Sequence, residues 1–191
     1  MKGYFIYGII MLAVDFLTKI YVKSHFALGE STAVLGDFFK LTFVRNEGIA
    51  FGTFQESGNI FLYLTPIAII ALSLIFLKIK DKNRATRIAF VMIIIGAVGN
   101  YIDRVLYGYV VDFFDFDFID IIINPFQIGG FTFSGYSLTR WPVFNIADSL
   151  ISIGVGILMF DNIFVNSSKR ETKQESRIKG EESSNNASGI V

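Results

Sequence analysis

Cysteine is absent from this 191-residue chain. That removes disulfides, thiolate nucleophiles and Cys-ligated metals together. Histidine is nearly absent: His25 is the only one. A multi-His zinc site or a His-based catalytic triad is therefore nearly excluded. His25 reads as an interfacial residue. Seventeen basic residues balance seventeen acidic ones, so no global field points to a nucleic-acid partner. What the chain has in excess is apolar surface. It is 52% hydrophobic and 16% aromatic, with 21 Phe, against roughly 45–50% apolar residues in soluble domains. The excess is gathered into long runs, which indicates a membrane protein.

Four runs approach the roughly 20 residues that a helix needs to cross a bilayer. They cover about 4–22, 60–77, 86–103 and 143–165. The third has its apolar part from Ile88 to about Ile102 and gains length from Arg84–Arg87, whose basic side chains snorkel. Lys2 precedes the first run. Lys78, Lys80, Lys82, Arg84 and Arg87 lie between the second and third. Lys169, Arg170, Lys173, Arg177 and Lys179 follow the fourth. The positive-inside rule then puts both termini in the cytoplasm and the loops 23–59 and 104–142 outside. The first run is not a cleaved signal peptide by this reading. It lacks a small-x-small cleavage site and carries Asp15, Thr18 and Lys19. The expected fold is an all-α membrane core of four transmembrane helices with a small extracytoplasmic β platform. The platform is expected from Phe38–Val44, Phe113–Ile123 and Gly130–Ser137, which are rich in aromatic and β-branched residues. Residues 1–165 form one domain, and the polar tail 166–191 is expected to be disordered.

Against this apolar background, two aspartates stand out. Asp112 follows the third run and Asp148 lies just inside the fourth. Ionisable groups at membrane depth are costly and are by default candidates for function. The topology brings both to a similar outer depth. Two carboxylates in contact resist joint ionisation, so one pKa rises and the pair shares a proton. Such a pair can deprotonate water and polarise a carbonyl without a metal. Bland readings compete. Asn145 with Asp148 looks like a helix N-cap with an acidic third residue, and Asp112 also reads as an exposed turn residue. Asp115, Asp117 and Asp120 look like strand edges. Asp15 and Lys19 share a helix face and read as a structural ion pair. Arg104 reads as an anchor for the outer loop. Gly96 and Gly99 suit close helix packing, with Asn100 facing a polar partner. Asn46 offers a donor and an acceptor to a peptide, and Gly48 permits a tight turn.

The order of the motifs is more specific than any one of them. Asp15-Phe-Leu-Thr-Lys19, Asn46-Glu-Gly-Ile-Ala-Phe51, Gly99-Asn-Tyr-Ile-Asp-Arg104, Val110-Val-Asp-Phe113 and Phe144-Asn-Ile-Ala-Asp148 follow one another across the four runs. This resembles the lipoprotein signal peptidase (signal peptidase II) family over roughly Asp15 to Gly156. The resemblance implies a bacterial inner-membrane aspartic endopeptidase without cofactor or metal. Its substrates would be prolipoproteins whose lipobox cysteine already carries a diacylglyceryl group, cut on the amino side of that cysteine. It implies catalytic roles for Asp112 and Asp148. Asn46, Gly48, Asn100, Arg104 and Asn145 would shape the site and hold substrate, while Asp15 and Lys19 match the family's first polar motif. Expected partners are these substrates and membrane lipids, with no nucleic acid, and the expected state is a monomer. The sequence departs from the family pattern at Ile95, in a longer segment around Asn124–Gly130 and in its extended tail. A lid over the site is expected from Gly48, Gly52, Gly129 and Gly130. The rival reading is a small proton-coupled transporter or channel, which calls for polar residues spread through the depth of several helices.

Overall fold

The computed structural model describes residues 2–48, 58–79, 83–118, 120–161 and 163. Gly52 and the tail from 166 lie outside these residues. Four helices are present among them: α1 (Lys2–His25), α2 (Gly58–Lys78), α3 (Arg84–Tyr107) and α4 (Ile146–Phe160). The first three are long and apolar enough to cross a membrane. α4 is apolar but has only 15 residues, about 22 Å at 1.5 Å per residue. It is shorter than the run 143–165 for a definite reason at its start. Val143 to Asn145 are extended, and the backbone of Phe144 bonds a neighbouring strand instead of a helical turn. α3 is longer than the run at 86–103. Asn83 caps it at one end by accepting from Thr86 N, and Gly108 closes it in a left-handed conformation with its N–H donating to Arg104 O.

α3 is the packing centre, and small residues set its approach to its neighbours. A Cβ at Gly96 would strike the carbonyl oxygen of Ala147 in α4, and one at Gly99 would strike the Asp15 carboxylate of α1. Gly154 of α4 lies in the same way against Ala89 O and Ile93 of α3. Much of the remaining helix surface is exposed Ile, Leu, Phe and Tyr, as suits a lipid-facing wall. Pro66 sits within α2, a position tolerated in apolar membrane helices where neighbours re-satisfy the freed carbonyl.

A three-stranded antiparallel sheet caps one end of the bundle. It runs in the order β1 (Ser31–Leu35), β2 (Phe39–Asn46), β3 (Val110–Phe116). Its core is Phe43, Val111 and Phe113 packed on Val22 near the end of α1. Alternation along β3 turns Val111 and Phe113 to this core and Asp112 to the other face. A register shift lies between Leu41 and Val44, where three residues of β2 span two of β3. That extra residue is a β-bulge, which bends the strand beside Asp112. Beyond β3 comes an arm of two hairpins. β4 (Ile121–Ile123) pairs with β7 (Tyr136–Leu138), and β5 (Phe126–Ile128) with β6 (Phe131–Phe133). Gly129 and Gly130, both at positive φ, make the two-residue turn at its tip.

Candidate active site

Backbone pairing first brings the acidic residues together. Phe114 N donates to Phe144 O at 2.7 Å, and Phe144 N donates back to Phe114 O at 3.1 Å. The segment entering α4 is thus tied to β3 by a single antiparallel bridge, which delivers Asn145 to Asp112. Asn145 then starts α4 with a full capping box. Its side-chain oxygen accepts from Asp148 N at 3.0 Å, and Asp148 Oδ2 accepts from Asn145 N at 3.2 Å. The cap reading of Asp148 is correct, and it does not compete with a chemical role. The cap aims the carboxylate.

Two amides bridge the carboxylates. Asn145 Nδ2 donates to Asp112 Oδ1 at 2.6 Å and contacts Asn100 Oδ1 at 3.1 Å. Asn100 Nδ2 donates to Asp148 Oδ1 at 2.7 Å. Asn46, diagonal to Asp112 across the β2–β3 ladder, donates to Asp112 Oδ2 at 2.9 Å. Gly48, at φ 82°, donates its N–H to Asn46 Oδ1 and so holds that amide in orientation. Asp112 is 1% exposed, which rules out the exposed-turn reading. Burial pushes its carboxyl up to about 7; the amide of Asn46 pulls the other way and the charge of Asp148 adds to the rise. The chief cause is therefore burial. Repulsion within the pair, which the sequence suggested, is secondary.

A buried charge cluster sits behind the amides. Lys19 Nζ donates to Asn100 Oδ1 at 3.0 Å and lies 3.0 Å from Asp15 Oδ2 and 3.1 Å from Asp103 Oδ2. The Asp15 contact is an ion pair whose angles fall outside hydrogen-bond geometry. All three charged residues are 2% exposed or less. Lysine has only donors, so Asn100 must turn its oxygen to Lys19 and its NH2 to Asp148. The pair seen in the sequence is thus a triad, and its cation reaches the site through one amide. Asp15 Oδ1 also accepts from Ala147 N, and Asp103 Oδ2 from Val111 N. These two bonds tie the first turn of α4 and the start of β3 to the same cluster. The signal in the sequence for Asp103 is its place three residues after Asn100, on one face of α3. Arg104 contacts Asn100 O at 3.5 Å and its guanidinium lies 5.4 Å from the Phe61 ring centre.

A cavity of about 310 Å³ opens on Asp112, lined by Val44, Arg45, Asn46, Glu47, Pro142 and Val143. Gly129 and Gly130 are at the arm's tip and not in this wall. Asp115 and Asp117 are not at the site either. Asp115 accepts from Thr42 Oγ1 at 2.6 Å and Arg140 Nε at 2.8 Å, and Asp117 pairs with Arg140 at 3.2 Å, bracing the root of the arm. Among the described residues, buried polar side chains cluster at the two ends of the α3–α4 pair, while 18 residues of α2 have none buried. The distribution through depth that a transporter calls for is missing from them.

Apolar helices of membrane length and an acid pair held by amides define a helical membrane protein with hydrolytic potential. Its structural neighbours are bacterial membrane enzymes. One bacterial membrane enzyme, solved by the in meso method at 2.3 Å, superposes with a TM-score of 0.70 at 32% identity, covering 88% of this chain and 92% of its own. A second, solved at 1.9 Å, gives 0.68 at 31% identity. The chain belongs to the signal peptidase II family: residues 7–164 match the model described as "Signal peptidase (SPase) II". It is 34% identical to the lipoprotein signal peptidase of Brevibacillus brevis over 87% of this chain and 97% of that one. It is 38% identical to that of Syntrophus aciditrophicus over 81% and 88%. It is thus a bacterial membrane protein of the aspartic peptidase type.

Proposed function

We propose that the chain is an aspartic endopeptidase that removes the signal peptide from diacylglyceryl-modified prolipoproteins, on the amino side of the lipidated cysteine, with Asp112 and Asp148 as its catalytic pair. The single observation that carries this reading is the amide bridge Asp112–Asn145–Asn100–Asp148, with Asp112 open to the cavity. A water between the carboxylates loses a proton to the ionised member as its oxygen bonds to the scissile carbonyl carbon. The protonated member gives its proton to the carbonyl oxygen. Collapse of the tetrahedral intermediate breaks the C–N bond: the leaving nitrogen takes up the proton held by the first member, and one hydroxyl of the intermediate returns its proton to the second, which restores the single proton of the pair. A carboxyl titrating near 7 is suited to sharing one proton at neutral pH. Asn46 lines the cavity and positions the substrate backbone, with Gly48 holding its amide and Arg104 behind Asn100.

The site opens at the sheet end of the bundle, which the basic residues of the other loops assign to the outer face of the inner membrane. On this reading α4 is the fourth crossing helix, both termini are cytoplasmic, and the monomer is the working unit. The substrate's signal helix and acyl chains then stay in lipid while the scissile bond reaches the pair laterally.

The test is cleavage of a diacylglyceryl-modified prolipoprotein by purified protein. Asp112→Asn and Asp148→Asn are each expected to abolish cleavage while the protein still inserts and folds. Near-normal cleavage by either variant would overturn the assignment.

A further inference from the structure

The arm between β3 and α4 is used by none of the chemistry above. Its 19 residues from Ile121 to Thr139 contain no charged side chain, although Asp120 and Arg140 bracket them. They are not folded inward. Ile122 is 64% exposed, Ile128 72% and Phe131 66%. The strands pair only within each hairpin, so neither face is covered by another sheet or helix. An uncharged apolar surface of this kind marks an interaction site.

We propose that this arm is a membrane-interface anchor that lies in the headgroup region of the bilayer beside the cavity. Three observations select lipid over a protein partner. First, the tether is short. β7 ends at Leu138 and α4 begins at Ile146, while Arg140 pins the root to Asp115 and Asp117. The arm is thus held next to the end of a bundle whose sides face lipid. Second, its exposed surface is continuous with exposed Phe38, Phe118 and Trp141 at the root. Phe118 packs edge-on against both Phe38 and Trp141. Trp141 at the root and Tyr136 within the arm, both half exposed, have the amphipathic rings that belong at a membrane interface. Third, both charges flanking the arm sit at its root, and none would have to enter the bilayer with it. The open backbone edges of two-stranded hairpins exclude the hydrocarbon centre, where unpaired N–H and C=O groups find no partner. Depth is therefore limited to the interface. Pro142 and Val143 leave the arm directly into the cavity wall, so the anchor fixes the height of that wall against the membrane surface.

Because the chain has no cysteine, single labels are unambiguous. Ile128→Cys and Phe131→Cys, each carrying an environment-sensitive fluorophore, would be reconstituted at low protein-to-lipid ratio in vesicles of zwitterionic lipid. The expected result is a blue shift relative to the same dye on glutathione. Quenching should be stronger by nitroxides near the headgroup than by nitroxides deep in the acyl chains. Emission matching the glutathione conjugate at both positions would overturn the anchor. So would a shift that appears only on adding prolipoprotein, which would mean substrate docking, or only at high protein density, which would mean a second copy. The fluorescence reads the arm whether or not the protein cleaves, so a failure here leaves the peptidase assignment separately testable.

Discussion

The α3–α4 pair is tied at both ends by an aspartate, Asp161 at one and Asp148 at the other. At the end away from the sheet, Asp161 closes α4 and accepts from Thr86 Oγ1 at 2.6 Å and from the Asn83 amide, at the first turn of α3. A carboxylate is favoured there by hydrogen bonding and by the dipole of α3, whose N-terminus it faces, and is opposed by the dipole of α4, whose C-terminus it closes. At the sheet end, Asp148 accepts from Asn100 and from Asn145 N. Each end thus has one Asn cap and one acid from α4. The difference is the second acid. Asp112 stands on a strand, joined through Asn145, and one side of it opens to a cavity. A carboxylate that joins two helix ends is a clamp. One with the same kind of donors and an open side has somewhere to put a water and a peptide.

The comparison breaks most sharply by substitution at the two ends. Loss of either Asp112 or Asp148 should lower kcat by on the order of 10³-fold or more, since acid–base transfer contributes roughly 10²–10⁴, with the melting transition retained. Lys19→Met comes next. It strands Asp15 and Asp103 in the interior and should cost about 3–5 kcal/mol, the range for breaking a buried ion pair, read by thermal unfolding in detergent. Asp161→Asn should cost only about 1–3 kcal/mol, as for a lost buried hydrogen-bond partner, and folded protein should keep the wild-type pH–rate profile. An Asp161 variant that folds normally but loses turnover would erase the distinction between clamp and site.

The smallest expected effect is a shift in pH dependence. Asn46 donates to ionised Asp112 and so lowers its pKa, opposing burial. Asn46→Ala should therefore move the ionisation near 7 in the rate profile to higher pH, by about one unit or less, a single hydrogen bond being worth roughly 1 kcal/mol and a pKa unit 1.36. The sign for stability follows from the same group. Native Asp112 keeps its proton up to about 7, while the unfolded group releases it near 3.8. More protons are bound in the native state across that window, so its contribution to stability is present in acid and is lost as pH rises towards 7. Melting of wild type and Asp112→Asn between pH about 5 and about 8 checks this, and the variant should lack that component.

Much of the site was legible because its residues are costly where they lie. Asp15, Lys19, Asn100, Asp112, Asn145 and Asp148 interrupt or flank apolar runs, and the structure brings all six into one cluster of hydrogen bonds and an ion pair. Asp103, beside Arg104 in the chain, carries no signal beyond its spacing from Asn100. Asp161 lies near the end of the run 143–165, where a charge is ordinary, and nothing in the run points to Thr86 or Asn83 as its partners. The start of α4 was placed at Val143, since hydropathy does not distinguish an apolar strand from an apolar helix over three residues. The bulge in β2 has no sequence signature of its own.

Taken alone, the sequence determines that this is a membrane protein, that thiol chemistry is impossible and that carboxylates and amides are the available reagents. Those conclusions need only residue types and their order, because an ionisable group in an apolar run must be desolvated whichever partner it later finds. The partners themselves were decided by tertiary structure. Pairing of Phe144 with Phe114 chose the neighbour of Asp112. The approach permitted by Gly96 and Gly99 set the distance between α3, α4 and α1. Lys19 chose which way Asn100 points. Each depends on contacts between residues tens of positions apart, and a local pattern carries no record of such contacts.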